Sequence, residues 1–222
     1  MTIKRRRILV INPNSSPSVT DAIDAALEPL RTQVALEIAV TGLAEGPPGI
    51  ASQRDADSVA KPLADLVARD AADAFVIACF SDPGLHAARE AAAGRPVMGI
   101  AEWGILWALA LGERFGIIAL SASSVRRQQR LVRQMGVDSR YAGSWPIDAS
   151  AAETTDAGVR DRLVEAGRAL VRQRGADVVV LGCAGMASHC AAIEEAIGCP
   201  VVEPSQRAVA AAIGALLLGS AR

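Results

Sequence analysis

The sequence of 222 residues lacks the common signatures of metal and nucleotide binding. Its four cysteines form no CxxC pair, a spacing that is poor for structural zinc. No GxGxxG or Walker sequence is present, so a phosphate-binding loop has no support. The lysines are Lys4 and Lys61, and neither resembles a pyridoxal phosphate lysine. The sequence therefore predicts no metal site and no cofactor.

A large excess of charge and a long apolar run are also missing. Lys and Arg number 23 against 24 Asp and Glu, so nothing favours nucleic acid or an anionic membrane as a partner. The apolar run Ile8–Ile11 is too short for a secretion signal, and no stretch approaches a membrane span. We expect a cytoplasmic protein with free thiols and a small-molecule substrate. Trp103 and Trp107 lie one helical turn apart, which fits core or a subunit interface, and we expect a homo-oligomer.

Short β-branched runs alternate with longer segments rich in Ala, Leu, Arg and Glu. This alternation predicts an α/β fold, and the apolar runs FVIA and VVVL fit central strands of parallel sheets. The predicted strands are Ile8–Ile11, Val34–Val40, Phe75–Ala78, Phe115–Leu120 and Val178–Leu181. The predicted helices are Pro17–Leu30, Ala56–Ala68, Pro83–Ala93, Ser123–Met135, Val159–Arg174 and Pro204–Leu218. Gly42–Gln53 shows no periodicity and is predicted to be a long loop.

Two segments 104 residues apart repeat one pattern. The first reads ADAFVIACFSDPGLHAAREAAAGRPV and the second reads ADVVVLGCAGMASHCAAIEEAIGCPV. One register matches Cys79 with Cys183 and Gly94 with Gly198. Alanine richness explains some of the other identities, but it does not explain these. The repeat therefore predicts two related halves, each with a strand that ends in a cysteine turn.

Each half is expected to form one of two pseudo-symmetric lobes with a mostly parallel sheet flanked by helices. Lobe 1 is predicted to hold residues 1–99 with the C-terminal helix, about 204–222, and lobe 2 to hold residues 100–203. Ligands of open parallel sheets bind beyond the carboxyl ends of the strands. Because both cysteines lie at such ends, the active site is expected in the cleft between the lobes.

Two facing thiols can invert a carbon acid that lies next to a carbonyl group. One cysteine, as thiolate, removes the proton from one face, and the other, as thiol, returns a proton to the opposite face. A helix N-terminus lowers the pKa of a thiol, and Cys79 and Cys183 both precede a helix start. Backbone amides after the cysteines are candidates to stabilise an enolate oxygen. These amides belong to Phe80, Ser81, Ala184, Gly185 and Met186.

Four motifs resemble the aspartate/glutamate/hydantoin racemase superfamily and, within it, the hydantoin and allantoin racemases. The motifs are INPNSS, ACFSDPGL, GIAE and LGCAGM, and together they span nearly the whole chain. The resemblance implies cofactor-independent racemisation in a two-lobed fold, with Cys79 and Cys183 as the acid/base pair. It also implies that the carbonyl and amide groups of a hydantoin-type ring are held by Asn14, Ser81, Gly185 and Met186.

Four further residues complete the predicted substrate-binding set, and some have alternative roles. Phe80 and Ala184 directly follow the cysteines, and Pro47 lies in the long loop. Ser121 lies in the strand-to-helix turn of the second half, where helix capping is the alternative. Asp82 is expected to cap its own helix rather than to act on substrate.

Two departures from the racemase pattern lie near the expected substrate wall. Ser81 occupies a position where the family commonly has glycine, which alters the room beside the first thiol. Ala51 and Ser52 follow Ile50, where an acidic residue is expected. The substituent at ring carbon 5 is therefore left open, including the choice between allantoin and other 5-substituted hydantoins.

Four other functions remain open from the sequence. A malonate-type decarboxylase needs one cysteine, which the pair disfavours. An amino-acid racemase or a maleate-type cis-trans isomerase uses two, but the isomerase needs stronger anion recognition than the motifs display. A non-catalytic two-lobed binding protein is the alternative of a different class, and slow alkylation of the thiols at neutral pH would favour it.

Overall fold

A computed structural model describes residues 5–219 of the chain. Strands and α-helices alternate along it, as predicted. The strands are β1 Arg7–Asn12, β2 Glu37–Gly42, β3 Ala74–Ile77, β4 Val97–Gly99, β5 Phe115–Ala119, β6 Tyr141–Pro146, β7 Val178–Leu181 and β8 Val201–Val202. The α-helices are α1 Pro17–Ala26, α2 Glu28–Arg31, α3 Gln53–Ser58, α4 Ala60–Arg69, α5 Leu85–Ala91, α6 Ile100–Leu111, α7 Ala122–Gln134, α8 Arg160–Arg174, α9 Cys190–Ile197 and α10 Pro204–Leu218.

The strands form two four-stranded sheets of the same topology. Their orders are β2-β1-β3-β4 and β6-β5-β7-β8, and every pairing is parallel. The predicted α/β class with two pseudo-symmetric lobes is confirmed. Every residue of β3 and β7 is buried, because helices cover both faces of each sheet.

Helices α6 and α10 pack against each other and join the two sheets. Helix α6 contacts β7, and α10 contacts β3. One apolar core includes Val10 and Val76 of the first sheet and Val180 of the second. Gly104 permits the close approach of the two helices, since a Cβ there would lie 2.9 Å from Cβ of Pro204. The two sheets therefore share one core, and neither folds around its own core alone.

The side chains that alternate with this shared core point to the outer faces of the sheets. Phe75 and Ile77 of β3 pack in an outer cluster with Leu63 of α4. Leu181 of β7 packs in a second outer cluster with Leu163 of α8. Burial on both faces fixes the register of the central strands, because a slip by one residue would exchange the two faces. It thereby also fixes where the cysteine turns emerge.

Several element boundaries differ from the sequence predictions, and three strands were not predicted. The helix predicted at Pro17–Leu30 breaks at Leu27, because Pro29 lacks an amide proton and disfavours helical backbone just before it. Strand β2 begins at Glu37 rather than Val34. Strands β4, β6 and β8 have no predicted counterpart: β4 and β8 contain three and two residues, and β6 carries glycine and proline at the sheet edge.

The C-terminal helix α10 packs on β1, β3 and β4 of the first sheet. It ends at Leu218, and the predicted lobe 1 residues 1–4 and 220–222 lie outside the described residues. Among residues 5–219, no helix has both the length and the apolarity needed to cross a bilayer.

Candidate active site

Cys79 and Cys183 lie two residues beyond the ends of β3 and β7, the strands that the repeat relates. Both residues line one small cavity of about 30 Å³, here called the thiol cavity. Its volume corresponds to about one or two water molecules. The predicted substrate-binding residues on its wall are Asn14, Phe80, Ser81 and Ala184.

A second cavity of about 500 Å³, here called the vestibule, adjoins the thiol cavity. The two cavities share the wall residues Ile50, Leu120, Ser124 and Ala151. The vestibule is of a size typical of small-molecule sites, whereas the thiol cavity is far smaller than one. A five-membered ring therefore reaches both sulfurs only if the shared wall moves outward.

The thiol of Cys79 is partly buried, and its sulfur faces the thiol cavity. Burial raises the pKa of Cys79 to about 12, and the charges of Cys183 and Asp82 act in the same direction. The hydroxyl of Ser81, whose Oγ lies 3.5 Å from the sulfur, and the charge of Arg127 lower this pKa. Because both cysteines line the same cavity, a negative charge on one sulfur disfavours a second charge on the other.

Cys183 is more deeply buried, with 8% of its surface exposed. Its sulfur lies 3.7 Å from Oγ1 of Thr154, and the amide of Gly185 donates to it. Burial raises the pKa of Cys183, while these two hydrogen bonds lower it. The two thiols therefore differ in their partners: a charged side chain acts on Cys79, whereas the groups that contact Cys183 are neutral.

Thr154 was not predicted from the sequence, because it lies in a stretch without periodicity. It is fully buried, and its Oγ1 donates to the carbonyl oxygen of Ala151 at 2.6 Å. Nε2 of His189 lies 3.2 Å from the carbonyl oxygen of Thr154. Burial lowers the pKa of His189 and favours its neutral form. His189 therefore orders the segment that carries Thr154, at a distance from the reacting atoms.

Asn14 presents a side-chain amide to the thiol cavity. Its Oδ1 accepts from Nδ2 of Asn12 at 3.0 Å and from the amide of Ser16 at 2.9 Å. These two bonds fix the orientation of the Asn14 side chain. Within residues 5–219, its Nδ2 donates to no protein atom, so this group is free to donate to a substrate carbonyl.

The backbone amides predicted to stabilise an enolate divide into two groups. Ser81 and Met186 donate their amides to the carbonyl oxygens of Cys79 and Cys183, and Gly185 donates to the Cys183 sulfur. Local turns engage the amides of Ser81 and Met186 in this structure, and enolate binding by the amides of Ser81, Gly185 and Met186 stays a prediction. The amides of Phe80 and Ala184 have no acceptor in the described part of the chain.

Four members of the predicted set do not line the thiol cavity: Gly185, described above, and Pro47, Ser121 and Met186. Pro47 and Ser121 line the vestibule. Ser121 also caps α7, since its side chain accepts from the amide of Ser124. Met186 is fully buried in the outer core of the second sheet, so its side chain is a packing residue.

Asp82 does not cap its own helix, which corrects the sequence prediction. The turn after Cys79 has φ 43° at Asp82 and φ 66° at Gly84, so α5 begins only at Leu85. The Asp82 carboxylate instead accepts from the amides of Ala101 and Glu102 at the start of α6. Burial raises the pKa of Asp82 to about 7. Asp82 thus ties the first cysteine turn to the helix pair between the sheets.

Arg127 is a second wall residue that the sequence did not reveal. It lies on α7, whose many arginines are typical of a solvated helix face and hid the one that turns inward. Its side chain is 9% exposed. Arg127 follows Ser124 by three residues and Ser121 by six, and these serines line the thiol cavity and the vestibule. This helical spacing is the pattern that could have indicated Arg127.

The family model described as Asp/Glu/Hydantoin racemase matches residues 8–212. The chain belongs to the Asp/Glu/Hydantoin racemase family. It is 34% identical over 220 residues to a hydantoin racemase of Paenarthrobacter aurescens, with 96% of this chain and 92% of the relative covered. It is 36% identical to a hydantoin racemase of Rhizobium meliloti, with 91% and 85% covered.

A solved member of the racemase family has the same fold over nearly the whole length. The allantoin racemase from Klebsiella pneumoniae matches with a TM-score of 0.84 and 32% identity, covering 96% of this chain and 89% of that one. The resemblance read from the four motifs is thereby confirmed, and the chain is a racemase-family enzyme. Both hydantoin and allantoin racemases are among its relatives, so the substituent at ring carbon 5 must be argued from the site.

Proposed function

We propose that this enzyme inverts the C5 stereocentre of hydantoin-type rings with Cys79 and Cys183 as its two bases. The observation that carries the proposal is the thiol cavity, on which two cysteines from related strand ends converge. The similarity to hydantoin and allantoin racemases supports the ring class.

The reaction removes the proton from C5 of the ring and adds another proton to the opposite face of the same carbon. The thiolate of one cysteine takes the C5 proton and becomes a thiol, while the electron pair passes to the neighbouring carbonyl oxygen as an enolate. The second thiol then gives its proton to the opposite face of C5 and becomes the thiolate. The free amides of Phe80 and Ala184 and Nδ2 of Asn14 are the donors available to the enolate oxygen and the ring carbonyls.

The vestibule favours an apolar substituent at C5. Its wall is built largely from small apolar side chains and from the Pro47–Ala51 segment. Pro47, Ile50, Leu120 and Ala149 present no charge to a bound group. The wall also holds Asp55 and four serines, Ser121, Ser123, Ser124 and Ser150, but each already makes hydrogen bonds within the protein. The ureido group of allantoin would have to compete with these bonds for its partners, which is unfavourable. We therefore propose 5-alkyl and 5-arylalkyl hydantoins as preferred substrates over allantoin.

A substrate panel tests this proposal. Single enantiomers of 5-isopropylhydantoin, 5-benzylhydantoin and allantoin are incubated with the enzyme, with EDTA and without added cofactor, and the loss of optical rotation is followed. We expect kcat/KM for 5-benzylhydantoin to exceed that for allantoin by about tenfold or more, the discrimination typical of an apolar pocket. Faster turnover of allantoin would contradict the substituent assignment. Turnover of maleate or of aspartate, with none of any hydantoin, would contradict the ring class.

A further inference from the structure

Arg127 is the charged side chain on the wall of the thiol cavity, and no other lines it among residues 5–219. Its guanidinium group is held by neutral groups. Nη1 donates to the carbonyl oxygen of Ala51 at 2.9 Å, and Nη2 donates to the carbonyl oxygen of Ile50 at 3.3 Å and to Oγ of Ser124 at 3.2 Å. Nε is buried and has no hydrogen-bond partner.

This guanidinium has no carboxylate counter-ion. In the described chain, no salt bridge within 4.0 Å reaches Arg127. Asp55 attracts it from a greater distance, but the Asp55 carboxylate already accepts from the amides of Ala51 and Ser52. Arg126 and Arg130 repel it. A buried cation without a partner is costly, which indicates that the site supplies an anion during function.

We propose that the Cys79 thiolate is the anion that pairs with Arg127, so that Arg127 offsets part of the cost of burying this charge and Cys79, rather than Cys183, is the cysteine that ionises first. The inference rests on the proposed two-thiol mechanism and adds to it the order in which the two cysteines act. Cys79 is then the base that acts first on one enantiomer, and Cys183 is the thiol that completes the inversion. Arg127 is a positioning residue, since it acts through the cysteine.

The surroundings of the two cysteines support this asymmetry. The titratable groups that act on Cys79 are Cys183, Asp82 and Arg127, and Arg127 is the one whose charge favours a thiolate there. At Cys183, the groups that offset the effect of burial on the pKa are Thr154 and Gly185, and both are neutral. During proton abstraction the charge moves from sulfur to the enolate oxygen and stays inside the cavity. Arg127 therefore remains matched by one negative charge throughout the reaction.

A purely structural role is the competing explanation, because Arg127 joins two lobes. Its bonds to Ile50 and Ala51 tie the loop of lobe 1 to α7 of lobe 2. The loop-anchor role and the counter-ion role predict different results for a substitution of Arg127 that keeps the positive charge but loses the planar guanidinium fork. Lysine keeps the charge and cannot reproduce the fork, whereas methionine removes both.

The test is the pH dependence of alkylation by iodoacetamide, which is uncharged, resolved by cysteine with mass spectrometry. The wild-type enzyme, Arg127→Lys and Arg127→Met are compared without substrate, with Cys190 as internal reference. We expect the midpoint pH of Cys79 to lie below that of Cys183 in the wild type. Arg127→Met should raise the Cys79 midpoint by about one pH unit, which is about a tenfold slower reaction at pH 8. The midpoint of Cys183 should shift by less than a third of that amount. In Arg127→Lys, the Cys79 midpoint should return most of the way to its wild-type value.

Two results would overturn the assignment. Equal shifts at both cysteines would show that Arg127 only maintains the cavity. An unchanged Cys79 midpoint in Arg127→Met, accompanied by a raised KM, would show that Arg127 binds a substrate anion instead. If Arg127→Met does not fold, the wild-type order of the two midpoints decides, and a lower midpoint for Cys183 contradicts the proposal. The alkylation midpoints do not depend on turnover, so their outcome stays separate from a failure of the racemase assignment.

Discussion

Replacing Cys79 or Cys183 by serine is expected to lower kcat for racemisation by about a thousandfold or more. A serine hydroxyl is too weak an acid and too weak a base at neutral pH to replace either thiol, and general acid–base catalysis contributes about 10²–10⁴-fold per group. Each substitution exchanges sulfur for oxygen with little change of shape. The measurement is the loss of optical rotation of a single enantiomer of 5-benzylhydantoin, together with thermal unfolding of each variant.

Cys190→Ser is the matched control for these substitutions. Cys190 is a partly buried cysteine of the same lobe as Cys183, its sulfur lies 3.5 Å from the carbonyl oxygen of Val201, and it lines neither cavity. The Cys190→Ser variant should keep its racemisation activity within about twofold of the wild type, since general acid–base catalysis requires contact with the reacting group. Wild-type racemisation by either Cys79→Ser or Cys183→Ser would exclude the two-base mechanism.

The second large effect is expected at Gly185, which packs against the threonine beside Cys183. A Cβ at residue 185 would lie 2.4 Å from Oγ1 of Thr154 and 3.1 Å from the carbonyl oxygen of Ala151. Gly185→Ala must therefore push Thr154 away from the sulfur. We expect kcat/KM to fall by at least about tenfold, because small misplacements of catalytic groups are costly. Overpacking should also lower the free energy of unfolding by about 1–3 kcal/mol.

Gly158→Ala is the control for this substitution. Gly158 is an exposed glycine in the connection between β6 and α8 that carries Thr154, and a Cβ there would meet no atom within 4 Å. Its activity and unfolding free energy should stay close to those of the wild type. If Gly185→Ala retains full kcat/KM and full stability, the contact between Thr154 and Cys183 has no role in catalysis.

The internal repeat made most of the fold predictable. Matching Cys79 with Cys183 places two strands at equivalent positions, and the apolar runs before them identify those strands as central. The sequence could not indicate β4 or β8, because two or three residues carry no periodic signal. It also could not reveal that α6 and α10 pack together, since that contact joins residues about 100 positions apart in the two halves.

The site was predictable only where residues follow a strand directly. Cys79, Phe80, Cys183 and Ala184 lie where a parallel sheet presents its carboxyl ends, so their position follows from the topology. Arg127 was hidden for a different reason: one arginine among several on a helix is indistinguishable from its neighbours until tertiary packing turns it inward.

Long-range contacts also decided two roles that local patterns did not reveal. Thr154 reaches Cys183 from an irregular connection, which no local pattern describes. Asp82 looked like the cap of the nearest helix, because a carboxylate before proline favours that role. Its true partners are the amides at the start of α6, 19 and 20 residues further along the chain.

Hydrogen exchange at C5 tests the central claim most directly, because it separates the two faces of the ring. Each single enantiomer of 5-benzylhydantoin is incubated in deuterated buffer with Cys79→Ser or Cys183→Ser, and the spontaneous exchange of the substrate is subtracted. A variant with one remaining thiol should exchange the C5 proton of one enantiomer with retention of configuration, and the other variant should exchange that of the opposite enantiomer. Exchange of the same enantiomer by both variants would contradict the assignment of one cysteine to each face.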